Sequence, residues 1–279
     1  MYSDWLQFVA TLLDQEEPNL IALATTGRYA DDPPAVSALL QRLRHTYPYR
    51  EGAKVQYLDY FLQAYAELRI SPGYGYMDVV GTAFMLFGHP SKWAGQFFTP
   101  SSVSLAMAQL CVPDGPALVD ERLKAAIAKS PAASAALLAG VTLDGEVARA
   151  WFIARVIPLA VEHFEPIKVL DPACGSSIML ISASAMFPQW ACALGLVQFF
   201  GQDIDPDAVL MSKINLKLYG LNGHALRRTI MEAETILREH GVDANSRVEQ
   251  ADPPVPVQHV LVFPAPTISP TNTEAVAAA

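Results

Sequence analysis

One stretch of eleven residues, from Ile167 to Ser177, constrains the fold more than any other part of the chain. It reads IKVLDPACGSS: a short apolar run that ends in an acid, then small residues, then residues that suit the start of a helix. In a strand–turn–helix unit of this kind, small side chains let a ligand approach backbone N–H groups closely. The stretch therefore predicts an α/β fold with a ligand-binding turn.

A second strand is predicted at 197–201, and it is followed by Gln202-Asp203-Ile204-Asp205. An acidic residue after the second strand of such a unit is placed to accept hydrogen bonds from ribose hydroxyls. Asp203 lies 32 residues beyond Asp171, which is somewhat longer than the usual spacing of about 20 residues. The pattern indicates a nucleoside-containing ligand.

The run from Pro172 to Gln202 contains no charged residue. A run of this length raises the question of a membrane span. Pro188, Gln189 and Trp190 interrupt it, so a buried helix, a turn and a buried parallel strand explain it better. No membrane association is expected.

Net charge and cysteine content limit which partners the protein can bind and in which cellular compartment it is expected. The chain has 279 residues, 52% of them hydrophobic, and a formal net charge of −9, so it has no global basic field for nucleic acid. Its three cysteines, Cys111, Cys174 and Cys192, form no CxxC pair, which argues against a zinc site and suits the reducing cytosol. The first residues lack the basic region of a signal peptide. A cytoplasmic protein is expected, and DNA binding would need a local basic patch or a partner.

Three segments carry a resemblance to a known family. Residues 171–176, DPACGS, resemble motif I of the N-6 adenine DNA methylases, close to the modification subunits of type I restriction systems. Residues 95–100, GQFFTP, resemble the upstream cofactor motif of that family, and residues 201–206, GQDIDP, resemble its second motif. The three occur in the order that the family has.

The resemblance implies a Rossmann-like class I methyltransferase core that binds S-adenosyl-L-methionine. It places the cofactor on the following residues: Phe98, Thr99, Pro100, Asp171, Pro172, Ala173, Cys174, Gly175, Ser176, Asp203 and Ile204. Thr99 is expected to be the N-cap of a helix that begins at Pro100. The family prefers glycine where Ser177 stands, so a side chain there could crowd the cofactor, whereas Cys174 is expected to be a packing residue.

The domain organisation is predicted as three parts. Residues 1–92 form a helical N-terminal region, because apolar residues recur there at helical spacing. Residues 93–266 form the methyltransferase-like domain, with an alanine-rich helical insertion at 112–165, and residues 267–279 form a flexible tail. Third and fourth strands are predicted at 247–251 and 257–263. A complete methylase sheet has further strands, so the core is expected to be truncated at its C-terminus or completed by another chain.

The catalytic motif of the family is not convincingly present. Adenine methylases place Asn, Asp or Ser before Pro-Pro and an aromatic residue at the end of the fourth strand, where the flipped base is held and its amine polarised. Asp252-Pro253-Pro254 has the polar residue and both prolines, but Val255 replaces the aromatic residue, and the motif follows the third strand. Residues 262–266 follow a better fourth strand but offer no polar residue.

Three functions remain open from the sequence. In the first interpretation the chain is an S-adenosylmethionine-dependent DNA adenine-N6 methyltransferase of the restriction–modification type, which reaches DNA itself or through a specificity or partner subunit in a homo- or hetero-oligomer. Alternatively it is a catalytically inactive module that binds the cofactor and serves in regulation or assembly. In the third interpretation it has lost the cofactor as well.

Overall fold

The computed structural model of the chain describes residues 1–87, 99–223, 226–242 and 263–264. Helices dominate this part of the chain, and they fall into an N-terminal group, an inserted group and a group that flanks the strands. The N-terminal helices are α1 (Tyr2–Thr26), α2 (Pro34–Thr46), α3 (Tyr57–Ile70) and α4 (Val79–Phe87), with a 3-10 turn at Ser71–Tyr74. The helices of the middle region are α5 (Ser101–Cys111), α6 (Gly115–Lys129), α7 (Pro131–Ala139), α8 (Gly145–Trp151) and α9 (Ile157–Ala160). The helices that follow the first strand are α10 (Ile178–Ser184), α11 (Gln189–Ala193), α12 (Pro206–Leu218) and α13 (Leu226–Glu239).

The sheet is small and parallel. Strand β1 (Ile167–Asp171) pairs with β2 (Val197–Asp203), with Ile167 opposite Val197 and Asp171 opposite Gly201. A two-residue strand, β3 (Phe263–Pro264), pairs in parallel with the end of β2. The strand order is therefore β1-β2-β3. Because α10 and α11 connect β1 to β2, the segment forms the βαβ unit that the sequence predicts.

A side chain closes the outer edge of β2 before β3 joins it. Asn222, which has a left-handed backbone with φ of 56°, accepts a hydrogen bond from the Phe199 N–H (2.6 Å) and donates one to the Phe199 carbonyl (2.9 Å). These two bonds mimic the pairing of a neighbouring strand. The edge is thus satisfied at Phe199, and strand pairing on that side begins at Gln202.

Two apolar cores hold the chain together. The first is built around the strands, the middle helices and α13, with Phe199, Leu180 and Leu196 among its fully buried side chains. The second joins the N-terminal helices to α12, where Met211 and Ile214 pack with residues such as Leu6. The N-terminal region is consequently packed on the helix that follows β2.

The insertion forms more elements than the two or three helices that its composition predicts. Helix α7 begins at Pro131 and ends before Gly140, the two breaks that the sequence indicates. Beyond α8 the chain continues through a π-helical turn at Phe152–Val156, the short α9 and a 3-10 turn at Val161–His163. Trp151 is buried there and donates its indole N–H to the Ala136 carbonyl at 2.8 Å.

The uncharged segment after Asp171 is buried in the protein, as predicted, in α10, α11 and β2. None of the helices in the described ranges has the length and apolar character to cross a membrane by itself, although α5 and α6, which meet at 45°, pass that test as a pair. The predicted third strand lies outside the described residues, as does the predicted fourth strand apart from Phe263.

Candidate functional site

The turn between β1 and α10 brings the two predicted motifs into contact. Gly175 has a φ of 52°, which glycine adopts without strain, and its N–H donates a hydrogen bond to Asp203 Oδ2 at 2.8 Å. The Cys174 N–H donates to the Gln202 carbonyl at 2.9 Å. The acid at the end of β2 is therefore bonded directly to the turn that follows β1, and both lie at the carboxyl edge of the sheet.

The carboxylates of this edge are held by backbone N–H groups. Asp171 Oδ1 accepts from the Ala173 N–H at 3.1 Å, and Asp203 Oδ1 accepts from the Asp205 N–H at 2.9 Å. Burial raises the pKa of Asp171 above its ordinary value, with a further rise from the nearby charge of Asp203, and the bond from Ala173 opposes both. Each oxygen retains lone pairs for another donor, and the edge carries negative charge.

The predicted cofactor residues divide by exposure. Pro172 and Ala173 are exposed, and Ile204 is 75% exposed although it is a large apolar residue beside Asp203. Cys174 and Ser176 are buried, so their side chains face the interior and only their backbones could meet a ligand. The solvent-facing part of the turn is thus formed by Pro172, Ala173 and Ile204.

Cys174 is a packing residue, as the sequence predicts. A Cβ on the neighbouring Gly201 would lie 2.7 Å from Cys174 Sγ, so the thiol occupies space that only a glycine leaves open. Burial raises the pKa of the thiol. A thiol in this state is a poor nucleophile, because the thiolate is the reactive form.

The prediction that the side chain of Ser177 could crowd a cofactor is not supported by its position. Ser177 is fully buried with a left-handed backbone, φ 74°, and its hydroxyl shares a hydrogen bond with Ser212 of α12. The side chain thus points beneath the turn, away from the exposed Pro172 and Ala173. The left-handed backbone explains why glycine suits this position.

The upstream motif lies only partly within the described residues. Phe98 is outside them, whereas Thr99 is partly exposed and Pro100 exposed. The prediction that Thr99 caps the helix is wrong by one residue: Pro100 is the N-cap, and α5 begins at Ser101. The first turn of α5 lies against α10, because the hydroxyls of Ser104 and Ser182 are 2.7 Å apart.

Sequence reasoning did not find the buried polar cluster beneath the turn. It consists of Asp78, which precedes α4, together with Ser176 and Asn215. Burial raises the pKa of the Asp78 carboxyl, whereas hydrogen bonds from Ser176, Gly81 and Asn215 lower it. The available signal was local: an acid directly before an apolar helical run, three residues ahead of a glycine. Nothing in the sequence connects that acid to residues about a hundred positions away.

Two cavities lie elsewhere. One of about 780 Å³ is lined by Tyr76, Arg149, Trp190 and Tyr219 among others, and one of about 360 Å³ lies between α6 and Phe152. Their linings contain none of the predicted cofactor residues. The site at the sheet edge is accordingly defined by its hydrogen bonds and strand geometry.

The predicted catalytic residues, Asp252, Pro253 and Pro254, lie outside the described residues. Phe263 and Pro264, at the end of the predicted fourth strand, are in a strand that pairs with β2. In a doubly wound sheet the fourth strand lies beside the first, and the third lies beside the second. This strand therefore takes the place expected for the third.

Comparison with protein families decides the assignment of this βαβ unit. Residues 150–255 match the family model described as N-6 DNA Methylase. This segment is therefore similar to the N-6 DNA methylase family. The matched part of the chain contains β1, the 171–176 turn, β2 and the acid at its end, whereas Thr99 and Pro100 precede it. No match was found among curated proteins or among solved structures.

Proposed function

We propose that the chain binds S-adenosyl-L-methionine at the carboxyl edge of β1 and β2, as the cofactor-binding part of a DNA adenine-N6 methyltransferase similar to the modification subunits of type I restriction systems. The observation that carries the proposal is the bond from the Gly175 N–H to Asp203, which joins two cofactor motifs of the family at one edge of the sheet. DNA is the substrate that the family assignment supports.

The residues of the edge suit the chemical groups of this cofactor. Asp203 has free lone pairs that can accept the ribose hydroxyls. Ile204, exposed beside it, offers an apolar surface that an adenine ring would cover. The carboxylates of Asp171 and Asp203 favour a ligand with a sulfonium cation. Bound there, the cofactor would supply the methyl group, and Thr99 and Pro100 would contact it from the start of α5.

Isothermal titration of the full chain with S-adenosylmethionine tests the proposal. Binding is expected for the wild type, and Asp203→Ala should weaken it by about 1–3 kcal/mol, because hydroxyl groups of the ligand would be left without their acceptor. Asp32→Ala is the control: it removes an exposed acid from the loop before α2 and should leave affinity unchanged. Equal affinities of the Asp203 variant and the wild type would remove Asp203 from the site.

A second candidate function is cofactor binding without methyl transfer, in a regulatory or assembly role. The observation that favours it is the pairing of Phe263–Pro264 with β2, since this is the place of a third strand, whereas the family has its catalytic motif at the end of the fourth. The Asp252-Pro253-Pro254 sequence also lacks the aromatic residue that stacks on the target base. A methyl-transfer assay separates the two candidates.

A further inference from the structure

A buried polar cluster lies directly beneath the turn at 171–176. Its three side chains come from separate parts of the chain: Asp78 precedes α4, Ser176 belongs to the turn, and Asn215 belongs to α12. Their exposed fractions are 8%, 0% and 1%. A carboxylate buried this deeply is tolerated only where it receives hydrogen bonds.

The Asp78 carboxylate accepts hydrogen bonds from all sides of the cluster. The Ser176 hydroxyl donates to Oδ2, while the Gly81 N–H (2.7 Å) and Asn215 Nδ2 (2.9 Å) donate to Oδ1. Asn215 Nδ2 is also 2.7 Å from the Ser176 carbonyl, so Ser176 is held through both its side chain and its backbone. Truncation of Asp78 would strand several buried donors at once.

The contact between α4 and the turn depends on a glycine. A Cβ at Gly81 would overlap Asp78 Oδ2 and lie 2.5 Å from Ser176 Oγ. Gly81 occupies a helical position where alanine would otherwise be favoured by about 1 kcal/mol. The absence of a side chain at this position is what permits α4 to approach the turn.

The start of α4 is fixed from two further directions. Tyr219, the C-cap of α12, accepts a hydrogen bond from the Met77 N–H at 2.8 Å, and Tyr2 of α1 donates one to the Val80 carbonyl at 2.6 Å. Asp78 lies between these two anchors. Its position relative to Ser176 is consequently set by the N-terminal helices and by α12 together.

We propose that Asp78 is a positioning residue, which holds Ser176 and the rest of the turn in the conformation that receives the cofactor. The N-terminal helices thereby set the affinity of the turn for S-adenosylmethionine without contacting it. Gly175, the neighbour of Ser176, donates the bond that reaches Asp203, so displacement of Ser176 disturbs both halves of the site. The effect on affinity rests on the proposed binding of S-adenosylmethionine, whereas the support of the turn by Asp78 does not depend on it.

The first test compares two glycine variants in the full chain. Gly81→Ala removes no hydrogen-bonding group but places a Cβ where the Asp78 carboxylate meets the Ser176 hydroxyl, and it should weaken S-adenosylmethionine binding about tenfold and accelerate amide hydrogen exchange in residues 172–178. Gly73→Ala is the control, because a Cβ there meets nothing within 4 Å. It should change neither quantity.

The second test compares two substitutions of Asp78. Asp78→Ala should reduce affinity about tenfold or more and loosen the turn, whereas Asp78→Asn keeps an acceptor for Gly81 and Asn215 and should stay within about threefold of the wild type. If Asp78→Ala does not fold, Ser176→Ala takes its place, since it removes only the hydroxyl bond. Faster exchange confined to residues 172–178 distinguishes a loosened turn from a generally destabilised protein.

The outcomes separate the two proposals. If Gly81→Ala and the Asp78 or Ser176 alanine variant fold, yet keep wild-type affinity and wild-type exchange at 172–178, the positioning role is overturned and cofactor binding stands. If the wild type itself binds no S-adenosylmethionine, the proposed function fails. Hydrogen exchange then decides alone whether Asp78 holds the turn: faster exchange in the variants supports the positioning role, and unchanged exchange overturns it.

Discussion

At the scale of single residues, Ser177 combines a favourable and an unfavourable feature. Its hydroxyl bonds to Ser212 in the interior, while its left-handed backbone costs a residue with a Cβ about 1–2 kcal/mol. The sequence marked Ser177 as unusual, because the N-6 adenine DNA methylases that it resembles prefer glycine at this position. It did not indicate on which side of the turn the side chain lies. That orientation is fixed by Ser212, which is 35 residues away in the sequence.

The strain at Ser177 can be measured with two variants. Both Ser177→Ala and Ser177→Gly lose the bond to Ser212, but only glycine relieves the left-handed backbone, so the glycine variant should be the more stable by about 1 kcal/mol. Urea unfolding of the two variants provides the comparison. In the control Ala125→Gly, at an exposed position of α6, glycine should instead cost about 1 kcal/mol. An alanine variant as stable as the glycine variant would contradict a strained Ser177.

At the scale of elements, the sequence predicted the helices whose ends carry local signals. Helix α12 spans Pro206–Leu218 as predicted, because Asp205 accepts the Asp207 N–H and Pro206 suits the first helical position. Strands β1 and β2 were likewise indicated by their apolar runs. The π-helical turn at Phe152–Val156 was not predicted, since the sequence there reads as an uninterrupted helix and the departure has no local residue signal.

The junction of α7 and α8 provides a test of how the inserted helices pack. A Cβ at Gly140 would overlap the Trp151 indole, which lies between the two helices and bonds to the Ala136 carbonyl. Although its backbone, with φ of −90°, is accessible to alanine, Gly140→Ala should lower the free energy of unfolding by about 1–3 kcal/mol.

Leu138→Ala is the control for this junction, since that side chain is 70% exposed in the same helix and its loss should change stability by no more than about 0.5 kcal/mol. Urea unfolding monitored by tryptophan fluorescence measures both variants. Equal stability of Gly140→Ala and the wild type would show that the indole can move without cost.

At the scale of the whole molecule, the helical N-terminal region packs directly on elements of the predicted methyltransferase-like domain. The N-terminal helices share an apolar core with α12, and Asp78 reaches the turn at 171–176. Periodicity in the sequence predicts which face of a helix is buried, but not against which partner. The contacts between residues 78, 176 and 215 connect positions 98 and 137 apart in the sequence, where no local pattern carries information.

Methyl transfer is a property of the whole molecule, because the cofactor and the target base must be held together in one site. Transfer requires that the adenine amine be oriented and polarised beside the methyl donor. Asp252, the polar residue before the Pro-Pro pair that follows the second strand, lacks a following aromatic residue, and the strand at Phe263–Pro264 pairs with β2. We therefore expect the purified chain to bind S-adenosylmethionine but to transfer no labelled methyl group to adenine-containing DNA above background.

The result of the methyl-transfer assay also shows which residue or subunit, if any, polarises the adenine amine. Transfer by the pure chain would contradict the prediction, and Asp252→Ala should then abolish the signal if Asp252 supplies the acceptor oxygen, whereas Asp144→Ala, at the exposed start of α8, should leave it unchanged. Transfer that appears only after a second subunit is added would show that the catalytic motif comes from the partner. Binding without transfer under both conditions favours the non-catalytic role, because the cofactor turn, the Asp203 acceptor and their support from Asp78 would then be retained for binding alone.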